Sequence, residues 1–175
     1  MIYFIRHGQA DYSEKDSKIY QGFGNHMAPL SPKGYPGNRR NRGSPLHQAK
    51  LIYPRPTSEL CKALPFFPPS AAAAAGKTDL HEWLADKRYH YLSEEQAALH
   101  YNEFVTYNGI YPDDAEKNWE SIPAMRQRVL HVLARCRSVS PIIVVCHGML
   151  IQSLCGYHPQ NGEIVEFSLS SDNVD

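Results

Sequence analysis

The sequence predicts an α/β sandwich, and three observations favour this fold class. Residues 2–5 and 142–146 are short apolar runs rich in β-branched and aromatic side chains, as expected of strands buried on both faces. Two segments between these runs have the capping and spacing signals of helices. Helices interspersed with strands favour a sheet that is covered by helices.

Local signals place the helices and the last strand. Ser93-Glu94-Glu95-Gln96 is a capping box, which predicts a helix of about three turns ending near Asn108-Gly109. A second helix should begin near Ser121, with Pro123 in its first turn. Residues 163–169 mostly alternate between apolar and polar side chains and predict a final strand. The second helix has an apolar stripe that comprises Ile122, Met125, Val129, Val132, Leu133 and Cys136.

Two stretches predict loops. Residues 8–34 are punctuated by glycines and prolines and predict a long loop after the first strand. Residues 35–75 contain seven prolines, a basic knot at residues 38–42 and five consecutive alanines. This second stretch has no period of 3.6 or 2, so we predict no helix or strand in it, which is unusual inside a compact domain.

Composition bounds the class of protein. The 175 residues, 42% hydrophobic and 21% charged, are typical of one soluble globular domain. Eighteen basic residues balance eighteen acidic ones, so charge gives no case for a nucleic-acid or membrane partner. The first apolar run lacks a basic leader, and no apolar stretch is long enough for a bilayer, so we expect a cytoplasmic protein. Its cysteines lack the paired spacing of a zinc site and are expected to be reduced thiols.

Two histidines stand where the apolar strands end. His7 follows the first run and precedes Gly8, while His147 follows the later run and precedes Gly148. Ligands of parallel sheets bind beyond the carboxyl ends of the strands, so we expect the two imidazoles to meet over one site. A glycine beside each histidine lets a ligand approach the backbone closely.

Four motifs, in order along the chain, resemble one enzyme family. They are Arg6-His7-Gly8, Leu30-Ser31-Pro32-Lys33-Gly34, Leu80-His81-Glu82-Trp83-Leu84 and Val144-Val145-Cys146-His147-Gly148. Together they resemble the histidine phosphatase superfamily, which is phosphoglycerate mutase-like. The resemblance implies a single domain over residues 1–175 with a three-layer α/β/α sandwich and a mixed, mostly parallel sheet. It also implies a metal-independent phosphomonoester hydrolase that works through a phosphohistidine and needs no cofactor.

The resemblance also implies roles for individual residues. His7 would be the nucleophile, since a neutral imidazole can attack phosphorus. Arg6 and His147 would bind the phosphate, and Glu82 would be the general acid, kept protonated by the nearby negative charge. Gln9 either lines the pocket or is a loop residue, and Gly148 would contact the substrate. The implied substrate is a small phosphorylated metabolite or a phosphoprotein. His158, outside these motifs, is expected to be a surface or packing residue.

One departure from the family concerns its second arginine. The family motif S-P-x-x-R-A aligns with Arg55-Pro56-Thr57-Ser58-Glu59, so that Glu59 replaces the arginine. A carboxylate there would repel a phosphate dianion. Permitted codons for residues 53–67, read in a shifted frame, allow S-S-P-Y-Q-R-A-L, which restores the motif. We therefore hypothesise that roughly residues 35–75 are an out-of-frame translation.

Two other functions stay open. The first is a mutase of the phosphoglycerate mutase type, which moves a phosphate within one small metabolite. The second is a phosphate-binding pseudoenzyme, which the exchange at Glu59 favours. The sequence does not name the substrate or the oligomeric state.

Overall fold

A computed structural model describes residues 1–13, 28–34, 51–53, 78–112, 115–138 and 140–169. Four strands and three helices lie in these ranges, in addition to a 3₁₀ turn at Thr78–Leu80. The strands are β1 (Ile2–Arg6), β2 (Leu51–Tyr53), β3 (Ile142–Cys146) and β4 (Ile164–Phe167). The helices are α1 (Glu94–Thr106), α2 (Ile122–Ala134) and α3 (Gly148–Cys155).

The strands form one mixed sheet in the order β2-β3-β1-β4. β3 pairs in parallel with both β1 and β2, and β4 pairs antiparallel with β1. Every residue of β3 is buried, as its unbroken apolar sequence predicts for a central strand. The α/β class and the mixed, mostly parallel sheet are confirmed.

The two predicted helices are confirmed close to their expected limits. Ser93 caps α1 with its side chain, and Gln96 completes the capping box. Ser121 caps α2, with a proline in the first turn. The predicted stripe of α2 turns inward, and Met125 and Val129 are fully buried in the core together with Phe4, Val144 and Leu150.

Helix α3 and strand β2 have no counterpart among the predicted elements. Helix α3 begins directly after β3, with His147 as its N-cap residue. The His147 side chain makes no capping hydrogen bond, so the usual sequence signal for a helix start is missing. Strand β2 lies within residues 35–75, where the prediction of no strand is wrong at Leu51–Tyr53. Three residues are too few to show a period, and their pairing with β3 is a tertiary effect. The rest of 35–75 lies outside the described residues.

The long loop predicted over residues 8–34 is partly braced where the structure describes it. Ala10 and Leu30 form an isolated antiparallel bridge. The Asp11 N–H donates to the Pro29 carbonyl at 2.7 Å, and the Ser31 N–H donates to the Gln9 carbonyl at 2.8 Å. Residues 28–31 therefore support the chain that leaves β1. Within the described residues, no helix is both long and apolar enough to cross a membrane.

Candidate active site

The two motif histidines meet at the carboxyl ends of β1 and β3. The parallel register pairs Arg6 with Cys146, and the His7 N–H donates to the Cys146 carbonyl at 3.0 Å. This register places the next residues side by side, with His7 Nε2 3.1 Å from His147 Nδ1. The ring centroids are 4.8 Å apart and the rings lie edge to face. The expected meeting of the two imidazoles is confirmed.

The hydrogen bonds of His7 assign its tautomer. His7 Nδ1 lies 2.6 Å from the Gly8 carbonyl oxygen, which can only accept, so Nδ1 is the protonated nitrogen. In the neutral ring, the lone pair is then on Nε2. The His147 Nδ1–H donates to that lone pair at 3.1 Å. His7 thus presents Nε2 to the space that it shares with His147.

Two glycines let the segments around His7 come together. A Cβ on Gly8 would lie 2.1 Å from the Gly34 carbonyl oxygen, and a Cβ on Gly34 would lie 2.3 Å from the Gln9 carbonyl oxygen. Any side chain at either position would force the two backbones apart. The Arg-His-Gly motif and the Leu-Ser-Pro-Lys-Gly motif are therefore in direct backbone contact. The Gln9 side chain is exposed here, and its place in a pocket lining stays a prediction.

Glu82 approaches the histidine pair from a third segment. Its Oε2 lies 3.8 Å from His147 Nδ1, and its side chain is 24% exposed. The Trp83 N–H donates to Oε1 at 3.0 Å, and the backbone N–H groups of Met149 and Leu150 in the first turn of α3 also favour the charged form of this carboxyl. Burial raises the pKa of Glu82 above its ordinary value of 4.5, although these donors and Arg128 oppose the shift. A carboxyl with a raised pKa is suited to hold a proton for a leaving group.

Arg6 is the last residue of β1, and its side chain extends the candidate site beyond the histidine pair. Its Nη1 donates to the Pro159 carbonyl at 2.5 Å and lies 3.4 Å from His158 Nδ1. Its Nε is buried and has no hydrogen-bond partner among the described residues. Burial lowers the pKa of Arg6 and the charges of Glu82 and Glu163 raise it, and an arginine stays protonated in any case. The guanidinium therefore retains donor capacity for an anion.

His158 is the residue that the sequence interpretation missed. Its side chain is exposed, as expected, but a Cβ on Gly148 would lie 2.3 Å from His158 Nε2. The imidazole thus lies against the start of α3 and beside Arg6 at once. Burial and the charge of Arg6 both lower the pKa of His158 and favour its neutral form. No motif contains this residue, so only the fold shows that it borders the site.

His7, His147 and Glu82 therefore meet in one place, with Gly148 at the start of the adjoining helix, and Arg6 borders this place through His158. An arginine and two imidazoles beside a protonatable carboxyl can bind an oxyanion and exchange a proton with it. Among the described residues, no three His, Cys, Asp or Glu side chains are grouped to hold a metal ion. Cys136, Cys146 and Cys155 are free thiols. Glu59 lies outside the described residues.

Known structures share this fold. Phosphoglycerate mutase from Thermus thermophilus aligns with a TM-score of 0.56 and 15% identity, over 93% of this chain and 90% of that one. A mycobacterial glucosyl-3-phosphoglycerate phosphatase complexed with VO3 aligns with a TM-score of 0.60 and 20% identity, over 89% and 79%. A putative alpha-ribazole-5'-P phosphatase from Escherichia coli K-12 aligns with a TM-score of 0.56 and 18% identity, over 93% and 87%. The phosphoglycerate mutase-like fold is thereby confirmed.

The sequence comparison agrees with the structural one. No curated protein sequence matches the chain significantly. The sequence profile of the histidine phosphatase superfamily (branch 1) does match, over residues 2–167, which is nearly the whole chain. The chain therefore belongs to the histidine phosphatase superfamily.

Proposed function

We propose that this protein is a metal-independent phosphomonoester hydrolase that forms a phosphohistidine on His7. The observation that supports this best is the tautomer of His7. Its Nδ1–H is fixed on the Gly8 carbonyl, which leaves the Nε2 lone pair facing His147. A nucleophilic imidazole needs a nitrogen that carries no proton, and the bond to Gly8 holds the proton on Nδ1, so Nε2 can attack once a phosphate takes over the His147 donor.

The first half-reaction transfers the phosphoryl group to the protein. His7 Nε2 attacks phosphorus in line, a new N–P bond forms, and the P–O bond to the leaving group breaks. Glu82 gives its proton to the leaving oxygen, and the product is an alcohol. His147 Nδ1–H, which donates to His7 in the free protein, donates to a phosphate oxygen instead, and Arg6 neutralises part of the negative charge.

The second half-reaction restores the protein. The Glu82 carboxylate takes a proton from water, and the water oxygen attacks phosphorus. The N–P bond breaks, inorganic phosphate leaves, and both His7 and the protonated Glu82 are regenerated. The same carboxyl serves as acid and then as base, and its raised pKa brings it closer to the range that both tasks require.

The substrate that we propose is a small phosphorylated metabolite or a phosphoprotein, acted on in the cytoplasm. The similar structures include a glucosyl-3-phosphoglycerate phosphatase and a putative alpha-ribazole-5'-P phosphatase. Gln9 and Gly148 are proposed to contact the substrate. The mutase is a second candidate, because one similar structure is a phosphoglycerate mutase. The phosphate-binding pseudoenzyme is the third, and it depends on whether Glu59 is genuine.

The proposed activity is tested with the purified full chain and a panel of p-nitrophenyl phosphate, 3-phosphoglycerate and a phosphoserine peptide. We expect phosphate release and an acid-labile phosphoprotein. Loss of the nucleophile in His7→Asn should reduce turnover by about 10⁴-fold or more and abolish the phosphoprotein. His131→Asn, which changes an exposed histidine on α2, is the control and should keep both.

The other outcomes decide between the alternatives. Phosphate that stays on the sugar acid would identify a mutase. Stabilisation by vanadate without turnover would identify a binding protein. Equal turnover in His7→Asn and the wild type would exclude the phosphohistidine. Sequencing codons 35–75 decides the status of Glu59, because a shifted frame that encodes S-P-x-x-R-A would restore the second arginine.

A further inference from the structure

The segment that carries Glu82 needs support from outside itself. The acid segment, residues 79–84, begins within the 3₁₀ turn at Thr78–Leu80, and its residues 81–84 form no helix or strand. A carboxyl on such a segment has no ladder of backbone hydrogen bonds to fix its position. Its distance of 3.8 Å from His147 Nδ1 must therefore depend on other contacts.

One buried ion pair lies beneath this segment. Arg128 on α2 meets Glu120 in a two-pronged contact, with Nε 2.6 Å from Oε1 and Nη2 2.9 Å from Oε2. The Arg128 and Glu120 side chains are 17% and 7% exposed. Two parallel bonds of this kind fix the plane of a guanidinium and hold it against rotation.

The same guanidinium donates to the backbone of the acid segment. Its Nη1 lies 2.6 Å from the Asp79 carbonyl oxygen, and its Nη2 lies 3.0 Å and 3.4 Å from the carbonyl oxygens of His81 and Glu82. Arg128 thus contacts three carbonyls within four residues of sequence. The last of them belongs to Glu82 itself.

Glu120 holds the other end of the segment with its main chain. Its N–H donates to the Leu84 carbonyl at 2.9 Å, and its carbonyl accepts from the indole Nε1 of Trp83 at 2.7 Å. The ion pair and the two ends of the acid segment therefore form one connected set of hydrogen bonds. The side chain of Glu82 is left to face the histidines.

We propose that Glu120 and Arg128 are positioning residues, which set the place of the Glu82 carboxyl for proton transfer to the leaving group. This inference rests on the function proposed above. Neither residue reaches the histidine pair in any described contact, so each acts on the reaction through Glu82 and the segment that carries it. A displacement of 1 Å at a reacting group can cost about 10²-fold in rate, so a support of this kind has a direct effect on catalysis.

The identity of the leaving group separates positioning from general structural support. A poor leaving group, such as the alkoxide of glycerol phosphate, needs the proton of Glu82, whereas p-nitrophenolate leaves readily without it. Because kcat/KM reports the transfer of the phosphoryl group to His7, loss of the position of Glu82 must lower kcat/KM for the first substrate and spare it for the second. Hydrolysis of the phosphohistidine, in which Glu82 is the base, is common to both substrates. Partial unfolding would slow both equally.

The variant to test is Glu120→Met with Arg128→Met. Replacing both partners leaves no buried charge without its partner, which is the strongly destabilising result of removing one residue of a buried ion pair. The matched control is Arg126→Met on the same helix, because Arg126 donates to the carbonyls of Ser153 and Leu154 at the far end of α3. We expect the double variant to lose about 10²-fold in kcat/KM on glycerol phosphate and less than about 3-fold in kcat/KM on p-nitrophenyl phosphate. The control should change neither rate.

A second readout does not need turnover. Hydrogen exchange at the amides of residues 79–84 should accelerate at least tenfold in the double variant, while β1 and β3 stay protected. Unchanged exchange in these residues, or equal loss on both substrates, would overturn the positioning role. A wild type that hydrolyses neither substrate would refute the proposed phosphatase function instead, and the exchange measurement alone would then decide whether the pair fixes the segment.

Discussion

The histidine pair and the acid segment reach the same site by different routes. His7 and His147 follow β1 and β3, and the parallel register together with the bond from the His7 N–H to the Cys146 carbonyl fixes both. Glu82 follows a turn, and the side chains of α2 hold its segment. Strand register is a property of the whole sheet, whereas the backbone of the acid segment is held by a few side-chain and main-chain contacts, chiefly those of Arg128 and Glu120. The acid should therefore be easier to disturb alone than the nucleophile.

In this comparison, the largest effect is expected from a variant that removes the acid and leaves the histidine pair intact. Glu82→Gln should reduce hydrolysis of an alkyl phosphate by about 10²–10⁴-fold, the usual contribution of a general acid. Vanadate should still bind, because Arg6, His7 and His147 are unchanged. The alkyl-phosphate rate of the wild type should fall as pH rises through the raised pKa of Glu82, and the variant should lack this fall.

The same variant gives a stability measurement with a definite sign. Because the folded protein raises the pKa of Glu82, it binds this proton more tightly than the unfolded chain does. The free energy of unfolding should therefore fall as pH rises from about 4.5 through the raised value, and the Gln variant should lack this loss. Urea unfolding at several pH values measures the difference, with Glu166→Gln, at an exposed position of β4, as the control. A wild type whose stability does not depend on Glu82 in that window would contradict the raised pKa.

A smaller effect is expected from a change in the backbone next to His7. Gly8→Ala places a methyl group 2.1 Å from the Gly34 carbonyl oxygen, so the two segments must separate. We expect a loss of about 1–3 kcal/mol in stability and a reduced rate on both aryl and alkyl phosphates, because His7 moves. Thermal unfolding and the two rates measure this.

The control for this change is another glycine. Gly156 has a φ of 80°, and the space that a Cβ would occupy there is open. Gly156→Ala should therefore lower the free energy of unfolding by about 1–2 kcal/mol through backbone strain, without a change in rate. Equal rates in Gly8→Ala and Gly156→Ala would show that the contact between Gly8 and Gly34 does not place the nucleophile.

The smallest effect concerns the rim of the site. His158→Ala removes the ring that lies against Gly148 and 3.4 Å from Arg6 Nη1. The weaker hold on Arg6, worth about 0.5–1 kcal/mol, should raise KM about 2–5-fold and leave kcat unchanged. Steady-state kinetics beside His131→Ala test this. A fall in kcat with constant KM would instead assign His158 to the chemical step.

The sequence predicts those parts of the fold that have local causes. The capping residues Ser93 and Ser121 and the apolar runs of β1 and β3 each act within a few neighbours, and their elements are confirmed. Strand β2 and helix α3 depend on what they pack against. Leu51–Tyr53 is a strand because β3 offers an edge, and no pattern within three residues shows that.

The site divides in the same way. His7 and His147 are predictable as neighbours because each ends an apolar strand, and parallel strand ends share one edge of a sheet. The nearness of Glu82 to them follows from the family motif but not from any local pattern. The contacts of Arg128 and His158 are invisible in the sequence, because each joins segments that lie far apart along the chain.

The strand order has a consequence for how the chain is made. β1 leaves the ribosome well before its two neighbours in the sheet, β3 and β4, which begin at Ile142 and Ile164. Pairing over such a distance is slow, and the apolar side chain of Phe4 has no partner strand until then. Until β3 is made, the nascent chain therefore has a nucleophile without its neighbouring imidazole, and a chain that stops before residue 142 never acquires one.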